Sequence, residues 1–176
     1  DGGPYWLGNL SNTPEEVIEA ENPLLIEEYG FLPDTGGAGK HRGALGLSRQ
    51  YRFLAEEVTV QQRSDRHKHP CWGLQGGGSG ALGKSFYVDR EGNRSEAPSK
   101  FVRRMRRDEI FLSEMPGAGG HGIPFARDPL AVAEDVRQEK ITLTHARDAY
   151  GVVLDPATLA VDEAGTKSLR RDGAPA

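Results

Sequence analysis

Apolar and polar positions along this 176-residue chain form short runs of two kinds, mostly period-two runs up to about residue 125, after one short helix near the start, and helical-period runs beyond it. Thr13 before Pro14, with Glu16 three positions after Thr13, carries the signature of a helix start, so PEEVIEAEN at 14–22 is read as a short helix. LLIEEYGFL at 24–32 is strand-like, although its alternation is imperfect. In QYRFLAE, 50–56, Tyr51, Phe53 and Ala55 share one face while Arg52 and Leu54 share the other. VTVQQR at 58–63 alternates again, and the pattern predicts that it pairs with the preceding strand as a hairpin around Glu56 and Glu57. A short strand at 86–88, a turn at 89–93, a partly alternating run at 101–107 and a buried-type strand at 109–114 follow. Residues 1–10 show no clear period, with Tyr5, Trp6 and Leu7 as packing groups.

From Asp128 the period changes. Asp128 caps, Pro129 opens, and Leu130, Val132, Ala133 and Val136 fall on one helical face. A second helix starts at Leu143-Thr144 and stops at Gly151, a left-handed cap; a turn at Asp155-Pro156 precedes a last helix at 162–171. The predicted fold class is α+β, a β-rich glycine-loop region at 1–125 followed by a short helical C-terminal segment at 126–176 packed on it.

Glycine punctuates the β-rich part three times, at 36–46, 73–83 and 117–122. Such density suits positive φ angles and the close approach of other backbone, at an entropic cost that an ordinary linker has no reason to bear. With 23 glycines and 11 prolines, long helices cannot dominate. None of the clusters is a phosphate loop, because Lys40 lacks a following Ser or Thr and no strand-to-helix context surrounds it.

Charge and cysteine content narrow the partners. A net charge of −4 gives no reason to expect nucleic acid or an anionic membrane, and a small molecule or a protein is favoured. No apolar run reaches the roughly 20 residues that span a bilayer, so the expected setting is cytoplasmic. One cysteine, Cys71, excludes an internal disulfide. Ser64, Asp65, Arg66, His67, Lys68, His69 and Cys71 hold residue types used in metal and nucleophilic chemistry; His67 and His69 alternate, but no third ligand stands at a recognised spacing. The bland alternative is a solvated loop with Asp65 and Arg66 paired. Lys40 and Arg42 could meet an anion, and His121 lies in a loop where a binding residue could sit. Lys100, Arg103, Arg104, Arg106 and Arg107 form a basic patch, read as a solvated strand face or a subunit contact because acidic residues follow at once and Phe101 is its only aromatic.

The order of these blocks, PDTGGAGKHRGALGLSRQYRFL, SDRHKHPCWGLQGG, PSKF, PGAGGHG, RDPLAVAEDV and DAYGVVLD, resembles the C-terminal part of the hydantoinase B / oxoprolinase family from about Asn12 to Leu169. That family includes N-methylhydantoinase B-type subunits, the C-terminal half of 5-oxoprolinase and the corresponding subunits of acetone and acetophenone carboxylases.

The resemblance implies an ATP-dependent hydrolase that opens a cyclic amide after phosphoryl activation by a partner subunit. Its alternatives are a subunit of a ketone carboxylase and a non-catalytic assembly module. ATP and Mg would sit on an ATP-binding A-type subunit, and a divalent metal in the N-terminal part of the B-type subunit, with no metal ligand or cofactor assigned to this chain. Expected partners are that remaining N-terminal part, the A-type subunit and a small-molecule substrate, without nucleic acid or membrane. Arg66 and Asp65 are the candidate catalytic residues, with Arg66 and Arg42 as anion stabilisers, Asp65 as their orienter and His121 as a loop contact. In PGAGGHGIP, Ala118, His121 and Ile123 depart from the expected glycine, aromatic and acidic residue.

Overall fold

The computed structural model describes residues 12–172, so the reading of residues 1–10 lies outside the described residues. In chain order the elements are α1 (Glu15–Glu21), β1 (Leu24–Leu32), β2 (Gly46–Phe53), β3 (Glu57–Arg63), β4 (Lys84–Val88), β5 (Arg94–Glu96), β6 (Lys100–Arg106), β7 (Ile110–Glu114), α2 (Pro129–Arg137), α3 (Leu143–Tyr150) and α4 (Glu163–Asp172). The fold is mixed α+β, antiparallel sheets followed by helices, as the periodicity predicts. At α1 the expected Thr13 cap gives way to Pro14, which bounds the helix without a side-chain hydrogen bond.

Five strands form one antiparallel sheet in the order β1-β2-β7-β4-β5, and β3 and β6 form a separate two-stranded ribbon. The predicted hairpin between the second and third strands is therefore corrected. Both edges of β2 are taken, by β1 and β7, so the chain leaves the sheet after Phe53 and β3 pairs with β6. Packing explains the choice. Val58 and Val60 of β3 and Phe101 and Met105 of β6 close over Phe53, Tyr87 and Phe111 of the larger sheet. Phe101 meets Phe111 edge-on at 5.5 Å and Tyr87 at 5.1 Å, so the ribbon is one wall of an aromatic core. Strand β5 (RSE) is wholly exposed and carries no apolar pattern, which is why periodicity did not reveal it.

The register of β1 on β2 shifts between Ile26 and Glu28. At that irregularity Glu27 accepts from Arg52 Nε and, at 2.7 Å, from Gln50 Nε2. The Arg52 hydrogen bond holds the Glu27 carboxyl below the ordinary carboxylate range, with burial opposing and Gln50 adding to it. A carboxylate whose pKa is lowered by folding stabilises the fold above its unfolded pKa, and that stability is lost as pH falls through the folded value. Wild type is thus expected to melt above Glu27→Gln at pH 7, with the gap closing on acidification below about pH 4; a gap that widens in acid would contradict the pairing.

A second core lies among the helices, built from Val132, Ile141, Ala146, Tyr150 and Val152. Asp128 caps α2 by accepting from Leu130 N, Thr142 caps α3 through His145 N, and Gly151 ends α3 at φ 63°. The helical segment is tied to the glycine region by Asp34, whose carboxylate accepts from Thr142 N at 2.8 Å and Thr142 Oγ1 at 2.9 Å.

Candidate functional site

The three glycine segments converge. Gly37 N donates to Ala118 O at 2.8 Å, Gly78 N to Ala38 O at 2.7 Å, and Gly120 N to Gly78 O at 2.9 Å, so each segment bonds to the other two. In this web the glycines act mainly through close approach. Among the glycines of the three segments only Gly76 and Gly122 have positive φ, so of the two expected uses, positive φ and close approach, the second predominates. A Cβ on Gly117 would lie 1.8 Å from Thr35 O, and one on Gly120 would lie 2.2 Å from Ala38 O. Gly77 and Gly80, three residues apart, lie against Gly120 and Gly117, also three apart, while Gly83 lies against Pro116 and Glu114.

Beside this scaffold is a depression of about 380 Å³ lined by Ser64, Asp65, Arg66, His67, Lys68, His69 and Ser99. It forms where β3 ends and β6 begins, with Ser64 N donating to Ser99 O at 2.8 Å. Arg66 adopts φ 63°, and its carbonyl accepts from Gly83 N at 3.0 Å, so the second glycine segment holds the loop in this conformation. The Arg66 guanidinium stands 5.6 Å from the exposed Trp72 ring. His67 Nε2 lies 3.2 Å from Ser64 Oγ. Cations, imidazoles and hydroxyls on one concave surface suit an oxyanion.

The sequence-predicted residues divide between this depression and elsewhere. Asp65 and Arg66 both line it, but Asp65 pairs with Lys100 at 3.2 Å, in place of the expected Asp65–Arg66 pair. Lys100 and Ser99 were not singled out for this site; Lys100 was read as part of the basic patch, and both residues as part of the PSKF block. Arg42 is buried, 7% exposed, and donates from Nε to Asp135 at 3.2 Å and from Nη1 to Gly43 O at 2.8 Å. It is not among the depression's lining residues. His121 is exposed and exchanges backbone hydrogen bonds with His41, their rings 6.0 Å apart, while Lys40 N donates to Gly122 O. His41, in the middle of the first glycine segment, is the residue that sequence reading passed over here.

Asp135 was also missed, standing on α2 as one acid among several. It is 5% exposed and accepts from both Arg42 and, at 2.8 Å, Arg127 Nη2. Nearby, burial raises the Tyr150 hydroxyl above its ordinary pKa, and the positive charges of Arg127 and Arg42 oppose that rise. Burial lowers Arg170, which donates to Tyr150 O and Arg127 O. Among the described residues no group of three or more His, Cys, Asp or Glu is arranged to hold a metal ion, so no residue is assigned to one. No helix of the described residues is long and apolar enough to cross a membrane.

Comparison with known proteins identifies relatives of this chain and of its fold. The profile of the Hydantoinase B/oxoprolinase family matches residues 1–124. An uncharacterised protein of Methanocaldococcus jannaschii is 39% identical over 161 residues, 90% of this chain and 28% of that protein. The caprolactamase subunit beta of Pseudomonas jessenii is 29% identical over 168 residues, 93% of this chain and 29% of the relative. The crystal structure of the ATP-dependent caprolactamase from the same organism superimposes with a TM-score of 0.77 at 25% identity, covering 93% of this chain and 29% of that one. The chain therefore spans little more than a quarter of the length of these relatives. It belongs to the hydantoinase B/oxoprolinase family.

Proposed function

We propose, from membership of the hydantoinase B/oxoprolinase family, that this chain is a small subunit or C-terminal portion of an ATP-dependent amidohydrolase that opens a cyclic amide. The observation that carries the reading is the family match over residues 1–124, supported by likeness to a caprolactamase subunit. An A-type partner would phosphorylate the amide oxygen, converting a poor electrophile into one with a good leaving group. The remainder of a B-type polypeptide would supply the rest of the site, including any metal. In this reading Arg66 contacts the anionic oxygen, Asp65 together with Lys100 orients the loop, and His121 is a loop contact. Arg42 serves from the interior by holding the first glycine segment against α2.

The test is ATP-dependent ring opening of a lactam or hydantoin by the assembly co-purified with this chain. Arg66→Ala is expected to lower turnover about a hundredfold, the scale of losing one donor to a developing oxyanion, with the assembly retained. Full turnover in that variant would remove Arg66 from the chemistry. ATP consumption that requires a ketone and bicarbonate, with no ring opening, would replace the hydrolase by the carboxylase that the resemblance also implies.

A further inference from the structure

The ribbon of β3 and β6 gives its apolar face to the core and turns its other face to solvent. On that outer face the register sets Glu57 opposite Arg106, Thr59 opposite Arg104, Gln61 opposite Val102 and Arg63 opposite Lys100. All eight residues are exposed, and four are cations against one carboxylate. Val102, at the centre, is 67% exposed. Arg63 directly across from Lys100 is a like-charge pair, an arrangement that weakens an antiparallel pair in isolation. Arg104 meets Glu57 at 3.3 Å and Lys100 meets Asp65 at 3.2 Å, so the local acids answer only part of this charge. A cationic face on a chain of net charge −4 is a segregated feature.

We infer that this face docks an acidic protein surface, contributed by the polypeptide that supplies the remainder of a B-type protein. Charge complementarity selects the chemistry, and the relatives, of which this chain spans little more than a quarter, hold the further B-type sequence that would present such a surface. Nucleic acid fits less well. The one aromatic of β6, Phe101, packs inward against Tyr87 and Phe111, so the face offers nothing for bases to stack on, and the chain as a whole repels polyanions. Val102 supplies the apolar centre and the cations the rim, the usual layout of a protein contact. This inference rests on the proposed function, since it needs a B-type partner to exist.

The experiment uses the full chain, affinity-tagged and purified from its own cells, treated with a carbodiimide and sequenced by mass spectrometry. Zero-length links from Lys100 to Asp or Glu of a second polypeptide with B-type sequence are expected. Arg104→Glu combined with Arg106→Glu is expected to lower retention of that polypeptide at least tenfold at 0.15 M salt, while the chain still unfolds in one cooperative thermal transition. Arg137→Glu on α2 should leave retention unchanged. If the partner is retained equally by the double variant, and Lys100 is linked only to its own Asp65, the docking face is wrong while the proposed function stands. A chain that purifies alone overturns both. Links from Lys100 to a second copy of this chain, or binding of a 20-residue oligothymidylate that the double variant loses, would assign the face to a different occupant and overturn the inference.

Discussion

Asp135→Asn is expected to cost about 3–5 kcal/mol of folding stability, the range for removing one partner from a buried ion pair. The carboxylate accepts from two arginines, Arg42 Nε at 3.2 Å and Arg127 Nη2 at 2.8 Å, in a site where its side chain is 7% exposed. The asparagine keeps the shape but not the charge, and two guanidinium groups then share the interior without their common counter-ion. Three parts of the chain meet there: the first glycine segment through Arg42, the approach to α2 through Arg127, and α2 itself. Against a total of about 5–15 kcal/mol for a typical domain, that loss is a large share. Urea unfolding at pH 7 measures it. The exposed pair of Arg137 with Glu134 provides the contrast, since Arg137→Ala should shift the midpoint little. Equal effects of the two substitutions would show that burial of Asp135 is not what matters.

Gly117→Ala is expected to destabilise by about 3 kcal/mol or more, beyond ordinary overpacking, because its neighbours cannot give way. The added methyl would lie 1.8 Å from Thr35 O and 2.5 Å from Thr35 C, both backbone atoms. Thr35 is held in place from two sides: its carbonyl accepts from Ala81 N at 2.8 Å, and its hydroxyl accepts from Gly46 N at 2.8 Å. Moving it would disturb all three glycine segments. Gly30→Ala is the control, with nothing within 4 Å of the new methyl in mid-strand β1, and should be neutral or stabilising by about 0.5 kcal/mol. Chemical denaturation gives the magnitudes. Amide exchange shows whether the loss at Gly117 spreads to Gly78 and Ala38, as a shared web requires; a local effect confined to 115–119 would mean that the segments are independent.

The helices were legible because their signals are local. Asp128 and Pro129, or Thr142 with Gly151, act within one turn of their own chain, and the structure places both helices where those residues direct. Most strand positions were legible for the same reason, through alternation, with the fully exposed β5 as the exception. Pairing was not. The choice of β6 over β2 as the partner of β3 depends on which apolar face meets Phe53, Tyr87 and Phe111, and that is a property of the assembled core. Arg42 illustrates the limit at the level of a single side chain. Beside Lys40 in a glycine loop it reads as a solvent-facing anion contact, and only the packing of α2 brings Asp135 to it across 93 residues of sequence.

By itself the sequence determined where chain segments are helical or extended, that three glycine-dense stretches had to accept close neighbours, and which family the chain resembles. The first two follow from backbone sterics, caps and periodicity, which act over a few residues, and the resemblance rests on the order of sequence blocks from Asn12 to Leu169. Only the tertiary structure decided that the three stretches bond to one another, that β3 and β6 form a separate ribbon with a cationic outer face, and that Asp65 answers Lys100 while Arg42 answers Asp135. Those outcomes depend on which distant surfaces are desolvated together, and no local pattern carries that.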